Sequence, residues 1–377
     1  MKKVIGIYCG DFSIADGKNW DSTYVRSHGA GGSETWAVEL ASAFQKKGFH
    51  VIVFGVPDCW HFDAEGVEYV PYWMFQHRCE YQHFDYFISS RRTEEITPYL
   101  ECPNIYIMSH EIGVFKESWG NFATFNELKM DKVKKIAVLS EWHKEATKKL
   151  YPELMDEQLF ITCNGIDQAL YQGEDSSPLS TKKKNMMVWS SCLCRGLEFF
   201  GKYVFPIIKA EIPDFEVNIC SYDTNIYNSI PSGKGLNFIG TLNKTDLANL
   251  QKEAKIWILP NYGRDDFGRE LHESFCITAV ENGMAGNAIV CLNKDGLTTT
   301  LEGYSGILNA DFFNEYSNYD EQDLKKVGEI LAWQSVHILK DNEYRIQLAN
   351  QAKDIVLKYT WNESANTWLK EWGLIYE

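Results

Sequence analysis

The sequence predicts an α/β protein made of two doubly wound parallel sheets. Short apolar runs with the composition of buried strands alternate with stretches of helical periodicity, the pattern of βαβ units. The alternation is interrupted once, at the charged stretch Thr181-Lys-Lys-Lys-Asn185, and then resumes. With 377 residues the chain is also longer than one average core.

The first half opens with Val4-Ile-Gly-Ile-Tyr8, an apolar run too short for a signal or membrane segment, and a polar loop then runs to about Gly32. Residues 33–47 have helical periodicity, with Trp36, Leu40 and Phe44 on one face and Gly48 as the stop signal. Strands follow at 49–54, 85–88, 105–108 and 135–139, and residues 141–150 read as a helix. The second half repeats the scheme. Strands are expected at 186–189, 215–220, 236–239, 256–259 and 288–292, with helices at 196–210 and 245–253 and a terminal one at 361–372. This gives a first domain over 1–170, a linker over 171–184 and a second domain over 185–360. In such sheets a ligand binds outside the carboxyl ends of the strands, so functional residues belong in the loops that follow them.

Composition narrows the partners. Hydrophobic residues make up 45% and aromatics 14%, enough for two folded cores. A net charge of −15 argues against nucleic acid, and an anionic ligand must then be held by local cations and helix ends. The ten cysteines show neither a CxxC pair nor zinc spacing, and several lie inside apolar strand-like runs, where free buried thiols are common. A reducing, cytoplasmic setting is the expectation. Asp265-Asp266 invites a metal reading, but no second ligand cluster accompanies it, and neither metal nor other cofactor is expected. Segment 129–149 is rich in lysine but diluted by Asp131, Glu141 and Glu145. A solvated helix face is its first reading, and peripheral contact with an anionic membrane is the second.

The most specific chemistry lies in Glu273-Ser-Phe-Cys-Ile-Thr-Ala-Val-Glu281. Glu273 falls in a loop and Glu281 one or two turns inside a helix. The amides of Phe275, Cys276, Ile277 and Thr278 then lie near a helix N-terminus, where free donors and the dipole favour an anion. Carboxylates flanking a phosphate site suit hydroxyl groups, ribose on one side and a sugar ring on the other. That constellation points to a sugar nucleotide. In Trp189-Ser190-Ser191-Cys-Leu-Cys-Arg195-Gly196, a cation stands between strand and helix, where it can meet a diphosphate. A third block, Gly29-Ala-Gly31-Gly32-Ser-Glu34, precedes a helix. It fails as a dinucleotide fingerprint, because Glu34 stands where a third glycine is needed and Phe54-Gly55 puts no acid at the end of the second strand. Ser109-His110-Glu111 follows a strand, and Cys163-Asn164-Gly165-Ile166-Asp167 reads as an architectural turn with Gly165 supplying the bend.

These blocks, in this order, resemble glycosyltransferase family 4, retaining enzymes of the GT-B fold that carry a Glu-x7-Glu motif. Glu273-Ser-Phe-Cys and Glu281-Asn-Gly-Met-Ala-Gly match that motif's surroundings, and the resemblance runs over nearly the whole chain. It implies two Rossmann-like domains facing a central cleft, with the C-terminal helix (361–377) packing back on the first. It further implies metal-independent transfer of a hexose from a nucleotide-sugar donor to a glycan, lipid-linked or other hydroxyl acceptor. On this view Arg195 and the amides from Phe275 to Thr278 neutralise the leaving diphosphate, and Glu281 takes the ribose hydroxyls. Glu273 holds donor-sugar hydroxyls or orients Arg195. His110, Gly31 and Gly32 act from the first domain, and closure excludes water. Ser190 or Ser191 stands near the place of an arginine in the family's phosphate clamp, a departure from its pattern. Two rival readings share the fold: a sugar-nucleotide epimerase or hydrolase, and a catalytically silent nucleotide-sugar-binding protein.

Overall fold

The computed structural model describes residues 2–11, 17–116, 121–221, 233–262, 270–308 and 320–376. The chain divides into two compact units, Met1–Gly165 with Tyr359–Glu377, and Ile166–Lys358.

The first unit runs β1 (Val4–Tyr8), α1 (Ser22–His28), α2 (Gly32–Lys46), β2 (His50–Gly55), β3 (His61–Phe62), β4 (Glu68–Pro71), α3 (Phe75–Cys79), β5 (Tyr86–Ser90), β6 (Ile105–Met108), β7 (Val133–Val138), α4 (Glu141–Leu150) and β8 (Leu159–Ile161). The eight strands form one sheet in the order β3-β4-β2-β1-β5-β6-β7-β8. All neighbours are parallel except β3 with β4. Strands β4, β5 and β6 are buried at every residue, as parallel strands covered on both faces must be. Helix α1 occupies part of the loop expected before Gly32; Asp21 caps it by accepting the Tyr24 N–H, and Gly29 at φ 77° ends it.

The second unit runs β9 (Met186–Trp189), α5 (Leu197–Phe199), α6 (Phe205–Glu211), β10 (Glu216–Ile219), β11 (Leu236–Phe238), α7 (Lys244–Glu253), β12 (Ile256–Leu259), α8 (Ile277–Met284), β13 (Ala288–Leu292), α9 (Leu297–Thr300), β14 (Ile307–Leu308), α10 (Glu321–Lys340) and α11 (Asn342–Val356). Its strands pair in parallel as β11-β10-β9 and β12-β13-β14. Backbone bonds from Lys184 N–H to Glu253 O and from Lys255 N–H to Met186 O set β9 beside β12. Residues 171–184, expected as a linker, pack within this unit. Tyr171, Ser176 and Lys183 are buried there, and Lys183 Nζ donates to Ala285 O and Asn287 Oδ1, both at 2.7 Å.

The helix expected over 196–210 is broken. A π-helical segment, Phe200–Val204, separates α5 from α6, which carries Pro206 near its start. Proline has no N–H to donate and its ring crowds the carbonyl four residues back, so the backbone widens there instead of continuing as α-helix.

The chain ends with α12 (Trp361–Glu371), which belongs to the first unit. Trp368 is fully buried there, Ser364 Oγ donates to Cys163 O at 2.6 Å, and Lys135 pairs with Glu371 at 2.8 Å. Gly165 does not have a positive φ. Its glycine is required by close approach, since a Cβ there would lie 2.2 Å from the Trp361 nitrogen.

Candidate active site

Two loops at the carboxyl ends of strands in the second unit, after β9 and after β12, carry the predicted donor-site residues. After β9, Ser190 and Ser191 lead into a 3-10 turn, Leu193–Arg195, that ends on Gly196 at φ 108°. A Cβ on Gly196 would stand 2.6 Å from Tyr262 O, so both conformation and space demand glycine beside Arg195. The turn directs Arg195 to the loop after β12. Its Nη1 donates to His272 O at 2.7 Å and lies 3.0 Å from Glu273 Oε1. Arg195 and Glu273 are therefore brought together although far apart in sequence. Burial raises the Glu273 carboxyl above its ordinary range; Arg195 opposes the shift and Asp295 adds to it.

Asp295 holds this loop and was not anticipated. It is buried, takes the Asn261 amide at 2.8 Å, faces His272 Nδ1 at 3.1 Å and receives the Glu273 N–H at 3.4 Å. Gly296 N–H bonds Glu273 O at 2.6 Å. A lone Asp after a strand carries no readable signal, because its partners come from the loop after another strand, β12.

Helix α8 begins at Cys276, which has φ 71° and makes no side-chain cap bond. The first-turn N–H groups of Ile277 and Thr278 have no carbonyl a turn earlier to meet, and no Ser, Thr or Asp cap is provided. Phe275 is buried, and its carbonyl accepts the Thr300 hydroxyl. An uncapped helix start beside an arginine is suited to an anion. One turn in, Glu281 is buried and faces α7, with Lys244 Nζ at 2.8 Å from one oxygen and Gln251 Nε2 at 3.5 Å from the other. Ser190 Oγ, standing near the place of the absent clamp arginine, is buried without a hydrogen-bond partner.

The remaining predicted residues lie in the first unit. Gly31 is the N-cap of α2 and Gly32 its first residue, again with no side-chain cap bond. His110 follows β6, with Nε2 3.2 Å from Ser90 Oγ and its ring edge-on to Trp36 at 5.0 Å. Burial lowers its pKa well below the ordinary value, and Arg91 and His143 add to the effect, so the imidazole is neutral near pH 7. It can exchange hydrogen bonds with hydroxyls but carries no charge for a phosphate. His143 Nδ1 accepts the Leu139 N–H, which places its proton on Nε2, 2.5 Å from Glu111 O. The loop around His110 is thereby fixed from behind.

Among the described residues no three His, Cys, Asp or Glu side chains group so as to hold a metal ion. Asp265 and Asp266 lie outside the described residues. No described helix is long and apolar enough to cross a membrane.

The whole chain has the fold of known glycosyltransferases. It is similar to a sucrose-phosphate synthase from Thermosynechococcus elongatus, with TM-score 0.69, 14% identity, and 99% of this chain and 98% of that one covered. HepE of Anabaena, solved in complex with UDP and glucose, gives TM-score 0.67 at 12% identity over 100% of both chains. WaaG, a glycosyltransferase involved in lipopolysaccharide biosynthesis, gives TM-score 0.60 at 12% identity, with 97% and 99% covered. No family model and no curated protein matches the sequence. The class defined at this level is the GT-B fold, an α/β architecture of two Rossmann-like units.

Proposed function

We propose that this chain is a retaining glycosyltransferase that takes a hexose from a nucleotide-sugar donor held by the second unit and passes it to a hydroxyl acceptor. The observation that carries the reading is the Arg195–Glu273 pair beside the uncapped start of α8, with Glu281 buried one turn further on. Positive charge and free amides meet the diphosphate, and carboxylates meet hydroxyls on either side. Arg195, anchored to the His272 carbonyl, keeps further N–H groups for the β-phosphate as negative charge develops there. Glu273 orients that guanidinium and offers an oxygen to the donor sugar. Ser190 Oγ supplies a hydroxyl donor where the family's clamp has an arginine. His110, neutral, acts on hydroxyls, and Gly31 and Gly32 present backbone amides. The acceptor is a glycan or lipid-linked hydroxyl, and the chemistry requires no metal. The similarity to HepE, solved with UDP and glucose, supports a uridine donor as the first to try.

The test begins with melting curves in the presence of UDP, GDP, ADP and CMP and their common sugar conjugates, where a bound nucleotide raises the melting temperature by linkage. A selective shift is expected. Turnover with the selected conjugate is then followed by NMR, and product with the donor's anomeric configuration is the expected result. Inverted product would overturn the retaining assignment. Consumption of donor without any acceptor would favour the epimerase or hydrolase reading, and no shift with any nucleotide would refute the donor site.

A further inference from the structure

Lys244 is not part of any motif in the sequence, yet it is the side chain that meets Glu281. It opens α7 directly after Asn243, whose Oδ1 caps the helix by accepting the Asp246 N–H at 2.8 Å. The Lys244 ammonium lies 2.8 Å from Glu281 Oε1, with side-chain exposures of 28% and 6%. The carboxylate is therefore the floor and the ammonium the rim of one small site. Gln251 closes the back: its Nε2 reaches Glu281 Oε2 at 3.5 Å, while Tyr171 donates to its Oε1 at 2.8 Å and fixes the amide's orientation. Helix α7 follows β11 and α8 follows β12, so the pair belongs to the same carboxyl edge of the sheet as Arg195.

A carboxylate has about four lone-pair positions and an ammonium three N–H groups. The ion pair uses one of each. What is left is acceptors on the floor and donors on the rim, the complement of a vicinal diol whose hydroxyls each donate and accept. A lone carboxylate would satisfy only the donating half of such a diol. We infer that Lys244 reads the ribose together with Glu281, donating to the hydroxyls that Glu281 accepts from, and so selects ribonucleotides over nucleotides lacking that diol. The inference rests on the proposed nucleotide-sugar site.

The test is calorimetric titration of the whole chain with UDP, GDP and ADP, then with the 2′,3′-dideoxy form of the best binder. The wild type should prefer the ribonucleotide by about tenfold or more, as expected for lost hydrogen bonds to charged groups. Lys244→Met should weaken the ribonucleotide about tenfold and leave the dideoxy form within about twofold, collapsing the preference. Lys244→Arg should keep most of it. If the methionine variant fails to fold, Lys244→Gln, whose neutral amide has two N–H groups against the ammonium's three, should narrow the preference while leaving the dideoxy form within about twofold, and an unchanged preference there would overturn the inference. A preference unchanged in the methionine variant, even with a lowered melting temperature, would show a helix-to-helix bridge and overturn the inference. Equal weakening of both ligands would also overturn it. If the wild type binds none of the three diphosphates, the nucleotide-sugar reading itself fails, and this inference with it.

Discussion

Two buried ionic groups show how single residues are set for different tasks. Arg195 is held at the His272 carbonyl and Glu273, and Glu273 has a carboxyl raised by burial. Removing the arginine leaves a carboxyl that neutralises readily instead of a stranded charge, so the fold should survive. Arg195→Ala is expected to lower kcat/KM about 100-fold or more, the scale of losing a charge-stabilising donor, with little change in melting temperature. Loss of folding would instead make the residue structural. Lys183 is the opposite case, a buried ammonium with only neutral acceptors, at the C-terminal end of α8. Burial, with Arg345 and Lys353 adding, lowers its pKa from 10.5 to about 7. Between those values the unfolded chain binds a proton that the folded chain does not, so stability rises with pH there. Lys183's contribution is complete above about 10.5, is lost as pH falls, and is flat below about 7, with a slope of about 1.4 kcal/mol per pH unit. Denaturant titrations across that range should show the stability difference between the wild type and Lys183→Met rising with this slope.

At the scale of elements, the loops that position the site rely on close backbone approach. Gly296 has φ −62°, so conformation does not demand glycine, but a Cβ would stand 2.2 Å from Ser274 O and 2.6 Å from Glu273 O. Gly296→Ala must displace the Glu273 loop, and with it the carboxylate that pairs with Arg195. A loss of about 1–3 kcal/mol in stability, together with weaker nucleotide binding, is the expected outcome, measured by denaturation and titration. Unaltered binding would mean that the loop's position is immaterial to the donor. Such constraints are hard to read in sequence, because a glycine is recognisable only once its neighbour is known. Strands were easier. The expected runs 4–8, 105–108, 186–189, 256–259 and 288–292 coincide with β1, β6, β9, β12 and β13, since a strand buried on both faces is an unbroken apolar run. Helix 196–210 was legible in outline, but its π segment follows from Pro206 in a stretch whose periodicity is otherwise helical. Of the candidate site, the placement of the Glu273–Thr278 loop and of Glu281 inside a helix was legible because they are local in sequence. Asp295 and Lys244 were not, because each becomes significant only through partners brought in by other strands.

At the scale of the whole molecule, the first unit is not continuous in the chain: residues 359–377 return to it after the second unit has been completed. The returning helix supplies core. Trp368 is fully buried, with ring contacts to Phe160 at 4.7 Å and Tyr106 at 5.7 Å, and Trp372 stacks on Tyr86 at 4.0 Å and on Phe44 at 5.2 Å. Tyr86 and Tyr106 belong to β5 and β6, in the middle of the eight-stranded sheet, so the helix covers strands that would otherwise face water. Loss of one buried tryptophan side chain typically costs about 3–5 kcal/mol, so a chain ending at Lys358 should destabilise the first unit by at least about 5 kcal/mol. The second unit keeps all of its strands and its long helices α10 and α11 in that truncation. The two units are therefore expected to lose cooperativity, and no single unfolding free energy would describe the shortened chain. Hydrogen exchange resolves the point by peptide. Exchange in β1, β2, β5 and β6 should accelerate towards unfolded rates while β9, β10, β12 and β13 retain protection. Equal loss across both sets would mean that the second unit depends on the first for its stability, and unchanged protection in the first set would mean that its sheet stands without the helix.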